Sequence, residues 1–420
     1  MNHFLIFGTH PLLSLAEAKA VIGGQKPEIA GEMAMFDVDQ WDGGALNDRL
    51  GGTIKLGEVI AKIPLKELTA ERLADEIEAR PRGKNKIEFG LTIYGGSSAA
   101  RQKTKNLAIG LKRVLQERGQ SVRWVTGEKG DLTPAAVAKA HLIDEGYDFC
   151  VALTDQQAII GLTTNVQSAD AWSLRDYGRP FRDLKTGMLP PKLARMMVNL
   201  GVESRIKNQE LSILDPFCGG GTVLMEAALM GYQSLVGSDM DARQVEGCNK
   251  NLDWLVSKKL LTQECRTTIK TFVSRAENLD SHVVDLSSSR RRGSMSGGMD
   301  SCLRRNDNVT IVTEGYLGKP LIGHESIEFL KKQKREIEEL WGKAFEVFSH
   351  LQTKGGRIVC VWPIFVSGRD TLAVDAKEQA QKFGYTVIDP LAGWHEKAVT
   401  LTYARPDQHV KRNIVVLEKI

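Results

Sequence analysis

The sequence predicts an α/β protein: a mostly parallel sheet flanked by helices in the C-terminal half, with an N-terminal α+β region in front of it. Three observations carry this. Strand-like apolar runs alternate with helical patterns after residue 191, a glycine-rich turn follows the first of those runs, and the chain closes on "AVTLTYAR" and "RNIVVLEK", which predict an antiparallel edge pair. At 420 residues the chain exceeds the ~250–300 residues at which one core stops growing. Residues 1–66 and 67–165 read as separate N-terminal domains, 166–190 as a linker, and 191–420 as the sheet domain.

In the first segment "FLIF", "AMFDV" and "GTIKLGEVI" read as strands between turns at Gly23, Gly43 and Gly51, with a helix over Leu12 to Val21. The second alternates helix "ERLADEIEAR", strand "KIEFGLTIY", helix "TKNLAIGLKRVLQERG", strand "SVRWVT", helix "TPAAVAKAHLIDEG" and strands "DFCVALT" and "QAIIGLTT". Thr133 before Pro134 is a helix start, and Gly119 and Gly146 mark helix stops. Polar, bend-favouring residues fill Asn165 to Lys185, and a helix runs from Pro191 to Leu200.

The sheet domain begins with strands "LSILDPF" and "QSLVGSD" around the helix "TVLMEAALMG", and continues through "FVSRAENLD", "NVTIVTE", "GRIVCVWP" and "YTVIDPL". Residues 287–306, "SSSRRRGSMSGGMDSCLRRN", have no apolar period and predict a mobile insertion. Its arginines fit either contact with RNA phosphates or an insertion of no further role.

Composition excludes several classes. The chain is 42% hydrophobic and 26% charged, and no apolar run approaches the ~20 residues of a membrane helix. Its apolar start lacks a basic n-region, so a cytoplasmic address is expected. The six cysteines have no C-x-x-C pair and no histidine at zinc spacing, which predicts reduced thiols and no metal site. Between Arg80 and Trp124, eleven Lys or Arg face two acids, a window of +9 in a chain of +4. Such an excess marks either a phosphate-rich partner or a solvated face. Lys84, Lys86, Arg101, Lys103, Lys105, Lys112 and Arg113 are the candidate RNA contacts.

The densest chemistry lies in "ILDPFCGGGTVLMEA", residues 213–227. A strand ends at Asp215 and turns through Gly219, Gly220 and Gly221 into a helix whose first amides face a ligand. No G-x-G-x-x-G frame is present, which argues against NAD. One strand later, Asp239 stands where a carboxylate accepts hydrogen bonds from ribose hydroxyls, with Asp241 as a substitute, or both cap the next helix.

The D-P-F-C-G-G-G-T wording resembles motif I of amino-group methyltransferases. Thr313-Glu314-Gly315-Tyr316 resembles their fourth-strand pattern of Asp or Asn, two prolines and an aromatic residue, without the prolines. Together with "RPFRDLKTGMLPPKLARMMVNLG" before motif I, the chain resembles the THUMP-containing tRNA guanosine-N2 methyltransferases that act on position ten. The resemblance implies a seven-stranded Rossmann-like class I methyltransferase domain, a THUMP-like RNA-binding domain at 67–165 and a ferredoxin-like companion at 1–66. It implies S-adenosylmethionine as cofactor and tRNA as partner. Met188, Pro190, Asp215, Phe217, Cys218, Gly219, Gly221, Thr222, Asp239, Met240 and Glu277 would hold the cofactor, Glu277 standing in for the acid the family has at Arg275. Glu314 would accept the amine protons and Tyr316 would stack on the base. Two other readings share these features, an adenine-N6 nucleic-acid methyltransferase and an RNA-binding protein that keeps the fold without turnover.

Overall fold

Short, largely buried apolar runs in the first 170 positions give strands that pair into one sheet. The computed structural model describes residues 2–82, 86–95, 98–127, 132–183, 187–203, 211–279, 309–406 and 408–420, the side chains of 98–101 and 103 excepted. The expected insertion at 287–306 lies outside these residues. The chain divides into two units, residues 1–14 with 23–173, and residues 15–22 with 174–420.

The first unit contains β1 (His3–Phe7), β2 (Glu28–Ala30), β3 (Met33–Phe36), β4 (Thr53–Pro64), β5 (Ile87–Tyr94), β6 (Val122–Trp124), β7 (Tyr147–Leu153) and β8 (Gln157–Val166), ordered β2-β3-β1-β4-β8-β7-β5-β6. β5 is parallel to β6 and β7. β4 pairs with β8 from Lys55 to Pro64, so one sheet continues across residue 66. Helices in chain order are α1 (Pro11–Ile22), whose residues 15–22 belong to the second unit, then α2 (Gly43–Arg49), α3 (Ala70–Glu78), α4 (Ser98–Glu117) and α5 (Pro134–Lys139). Leu73 and Ile77 of α3 and Leu111 and Leu115 of α4, each pair one turn apart, join Phe89, Phe149 and Ile160 of the sheet in one core.

Local signals account for several boundaries. Thr133 Oγ1 accepts from Ala136 N at 3.2 Å and Pro134 opens α5, as its sequence predicts. The helix then stops at Lys139 rather than continuing to Glu145, because His141 takes a left-handed φ of 51°. Gly146 is therefore no helix stop; a Cβ there would lie 2.5 Å from the Glu88 carbonyl oxygen.

The second unit contains β9 (Ser212–Asp215), β10 (Leu235–Asp239), β11 (Lys270–Val273), β12 (Val309–Val312), β13 (Arg357–Ser367), β14 (Asp370–Ala373), β15 (Tyr385–Ile388), β16 (Leu401–Tyr403) and β17 (Val410–Lys419). Seven strands form the main path, β11-β10-β9-β12-β13-β17-β15, with β14 on β13 and β16 on β17. The first five are parallel, as the crossover pattern predicts. β17 departs from expectation: it pairs antiparallel with β16 but is interior rather than at an edge. It is long enough to pair with β13 along one side and with β16 and β15 in succession along the other.

The further helices are α6 (Ala169–Tyr177), α7 (Pro191–Val202), α8 (Thr222–Leu229), α9 (Ala242–Ser257), α10 (Gln263–Thr268), α11 (Ile327–Leu351) and α12 (Lys377–Lys382). α6 occupies the segment expected as a linker; its Arg175 donates from Nε to Glu226 Oε1 of α8 at 2.8 Å, a pairing composition does not reveal. Trp341, Phe345 and Phe348 of α11 pack with Leu214, Val236 and Ile311 beneath the strand ends. Each such side chain contributes roughly 1.5–3 kcal/mol by burial. No helix among the described residues is long and apolar enough to cross a membrane.

Candidate functional site

In an open parallel sheet the ligand crevice forms beyond the carboxyl ends of the strands, where strand order reverses. Here β9 is that point, with β10 on one side and β12 on the other. A cavity of about 760 Å³ opens there, reached by the residues that end β9, β10, β11 and β12. That size lies within the roughly 300–1,000 Å³ of small-molecule sites.

The turn after β9 is built on glycine for two reasons. Gly219 has a φ of 49°, and its N–H donates to Asp239 Oδ2 at 3.0 Å, tying the turn to the end of β10. Gly221 has a φ of 81° and lies against α9, where a Cβ would come within 2.4 Å of Cys248 Sγ. Gly220 offers its carbonyl to Asn251 Nδ2 at 2.8 Å. The same side chain accepts from Phe181 N at 2.9 Å and donates to Phe181 O at 3.1 Å, so one buried asparagine fixes both the turn and the segment before α7. The ring of Phe181 fills the space a Cβ on Gly247 would take, at 2.2 Å.

Asp239 accepts from Gly219 N and, through Oδ1, from Asp241 N at 2.9 Å. A carboxylate has about four acceptor positions, so these bonds leave capacity for a ligand. Its pKa is raised by burial, against the opposing pull of those amides. Asp241 is the N-cap of α9, accepting from Arg243 N at 2.9 Å. Asp215 is more deeply set; it accepts from Phe217 N at 3.2 Å and its pKa is pushed up to about 7 by burial, with Asp239 and Glu314 adding to the rise. The Cys218 thiol is raised well above its ordinary value by its neighbour Cys248 and by burial, which makes it an inert wall.

Beyond β12, Glu314 and Tyr316 line the cavity. Arg412 Nε donates to Glu314 Oε1 at 2.5 Å. Tyr316 is 42% exposed, and burial followed by the nearby Glu336 charge raises its phenol pKa. Gly315 accounts for one of the missing prolines: its φ is 72°, where proline is fixed near −65°. A Cβ there would also lie 2.6 Å from Trp341 Cζ2.

Of the residues expected at the site, Met188, Asp215, Phe217, Cys218, Gly219, Thr222, Asp239, Met240, Glu277, Glu314 and Tyr316 line this one cavity. Arg275 lines it too and sits 3.5 Å from Glu277, so the two act as a pair. Pro190 and Gly221 do not line it. Pro190 is buried as the N-cap of α7, and Gly221 spends its conformational freedom on packing against α9. Arg179, Phe181, Asp183 and Gln244 were missing from the expected set. Gln244 Nε2 donates to Asp183 Oδ2 at 2.7 Å. The seven-residue spacing of Gln244 and Asn251, which places both on one helix face, is the signal that could have found this side of the site.

In the first unit, Lys86, Lys105, Lys112 and Arg113 are exposed, and Lys105 and Lys112 lie two turns apart on α4. Arg113 lies 3.4 Å from Glu117. Lys84 and the side chains of Arg101 and Lys103 lie outside the described residues.

Residues 179–285 match the family described as UPF0020, RMKL-like methyltransferase domain. The chain is 40% identical over 136 residues to a tRNA (guanine(10)-N2)-dimethyltransferase of Methanothermobacter thermautotrophicus, covering 32% of this chain and 35% of that protein. It is 45% identical over 80 residues to a protein of the same description from Methanocaldococcus jannaschii, 19% of this chain and 20% of that one. The match therefore spans about a third or less of these relatives' length. Across the whole of both chains it is similar to the solved structure of TrmN from Thermus thermophilus, at 17% identity and a TM-score of 0.51. That likeness is one of fold alone.

Proposed function

We propose that this chain is an S-adenosylmethionine-dependent tRNA methyltransferase that modifies the exocyclic N2 amine of a guanosine, position ten being the expected target. The observation that carries the reading is the meeting, in one cavity, of the glycine turn after Asp215, the Asp239 carboxylate and Tyr316. The two curated relatives, alike over the stretch they share, act on that amine by description.

The residues fit the cofactor. The turn at Gly219 lets a ligand approach backbone amides closely, and Asp239 keeps acceptor positions for both ribose hydroxyls. Met240 and the Arg275–Glu277 pair flank the place of the adenine, with Phe217 and Cys218 as apolar wall. When bound, the cofactor supplies a methyl group already activated on a sulfonium, so the protein has only to position the acceptor. Among the described residues, eight acidic side chains against four basic ones line the cavity, a field that favours a cation.

The target base leaves its stack to reach Tyr316, whose half-exposed ring offers a stacking face. Glu314, held by Arg412, accepts an amine N–H and turns the nitrogen lone pair toward the methyl group. A carboxylate held in this way needs no rearrangement as the nitrogen becomes cationic. The exposed cations of α4 in the first unit, a THUMP-like module in this reading, contact tRNA phosphates. The reaction belongs in the cytoplasm, where such a substrate is found.

Nucleoside mass spectrometry of tRNA from cells with and without the protein tests this. Loss of N2-methylated guanosine supports it; an unchanged guanosine profile with loss of a methylated adenosine points to the adenine enzyme instead.

A further inference from the structure

We infer that Arg179 is the anchor for the carboxylate at the methionine end of the cofactor, an assignment that rests on the cofactor reading above. Arg179 lines the cavity and is 3% exposed. Its Nη1 donates to Thr222 Oγ1 at 2.6 Å and its Nη2 lies 3.6 Å from Met188 Sδ, a weak acceptor. Among the described residues its Nε has no hydrogen-bond partner, and the acid paired with it, Asp176, stands 3.9 Å away.

A buried guanidinium is costly unless an anion pairs with it at close range. The neighbouring carboxylate that could do so is committed elsewhere: Glu226 takes Arg175 Nε at 2.8 Å through Oε1 and Arg195 Nε at 2.9 Å through Oε2. Burial also works against the charge on Arg179, a penalty that an incoming carboxylate would relieve. The planar fork of the guanidinium suits a carboxylate with two parallel N–H donors.

A second feature points to the same end of the cavity. Thr222 opens α8, and the N-cap Gly221 makes no side-chain capping bond, so the first-turn amides keep their positive field. Asp239 marks the place of the ribose, and Arg179 with the α8 terminus marks the place of the acid. The cavity thereby carries its own polarity, which sets the direction in which a zwitterionic nucleoside lies.

Calorimetry on the full chain tests this with two ligands that share the adenosine and differ at the tail, S-adenosylhomocysteine, which has the carboxylate, and 5′-methylthioadenosine, which lacks it. R179Q should weaken S-adenosylhomocysteine binding roughly 10- to 100-fold, as expected for removal of a charge-assisted hydrogen bond. It should leave methylthioadenosine affinity unchanged, and R179K should recover part of the loss. Equal S-adenosylhomocysteine affinity in R179Q and the parent overturns the assignment, as does a parallel loss for both ligands, which would make Arg179 a support for the turn. Failure of the parent to bind either ligand overturns the cofactor reading itself.

Discussion

Arg412 Nε donates to Glu314 Oε1 at 2.5 Å, with the two side chains 7% and 18% exposed. Glu314 follows β12, whereas Arg412 lies on β17, two places across the sheet. The carboxylate at the end of the fourth parallel strand is thus aimed from the antiparallel strand. Removing one partner of such a pair leaves the other charge poorly compensated. R412A should lower stability by on the order of 2–3 kcal/mol and reduce methyl transfer, with R412K between it and the parent. Denaturant unfolding together with a radiolabelled methyl assay reads both; a variant as stable and active as the parent would show that the pair neither holds the fold nor aims the carboxylate.

Glu314 itself separates charge from shape. E314Q keeps a side chain of the same size against Arg412 but weakens the acceptor, so transfer should fall by about 10²–10³-fold while tRNA binding stays at the parent level. Single-turnover kinetics with saturating cofactor checks it. A rate near that of the parent would show that the amine protons are received elsewhere.

Gly315 makes a stability prediction opposite to what motif matching suggests. Restoring the aromatic motif's proline, Gly315→Pro, forces a φ near −65° where the chain has 72° and drives atoms into Trp341. A loss of about 3 kcal/mol or more is expected, with Gly315→Ala costing roughly 1–3 kcal/mol. Equilibrium unfolding of both variants measures it. Parent-like stability in Gly315→Pro would mean the turn can adopt the family conformation after all.

These cases show what was legible in the sequence. The parallel strand order and the glycine turn were readable because a bounded apolar run ending in Asp215 and a Gly-Gly-Gly turn have few other uses. The interior place of β17 was not, since two neighbouring strand patterns say they pair but not what lies on the far side of either. Glu314 was visible as a candidate, but its partner lay 98 residues away, beyond any local signal. Pro190 and Gly221 lie outside the cavity lining, since the same residue types serve helix entry and close packing as readily as ligand binding. Arg179 escaped because its burial, and not its type, is what makes it informative.

Asp215 links the site to pH. Its folded pKa of about 7 lies above its ordinary 3.8, so between those values the folded state holds a proton that the unfolded chain has released. The stability it contributes is fully present below about 3.8 and is lost as pH rises to about 7, on the order of a few kcal/mol. Asp215→Asn, which cannot ionise, should flatten that slope, and the difference between variant and parent should grow from pH 4 to pH 7 and level off above. Melting curves across that range check it; parallel profiles would place Asp215 in a more polar setting.

The first unit supplies a prediction about association. Lys105 and Lys112 are exposed on one side of α4, so replacing both with glutamine should weaken tRNA binding without altering the fold. Each phosphate that the protein no longer neutralises reduces the dependence of log affinity on log salt by about 0.7–0.9. Two such phosphates therefore lower the slope by about 1.4–1.8, a change that fluorescence anisotropy with labelled tRNA at several salt concentrations resolves. Cofactor affinity should not move, because both lysines lie in the other unit from the cavity. A weaker affinity with an unchanged slope would mean the variant had damaged α4 rather than removed charge, and an unchanged affinity would move the RNA-binding face off this helix.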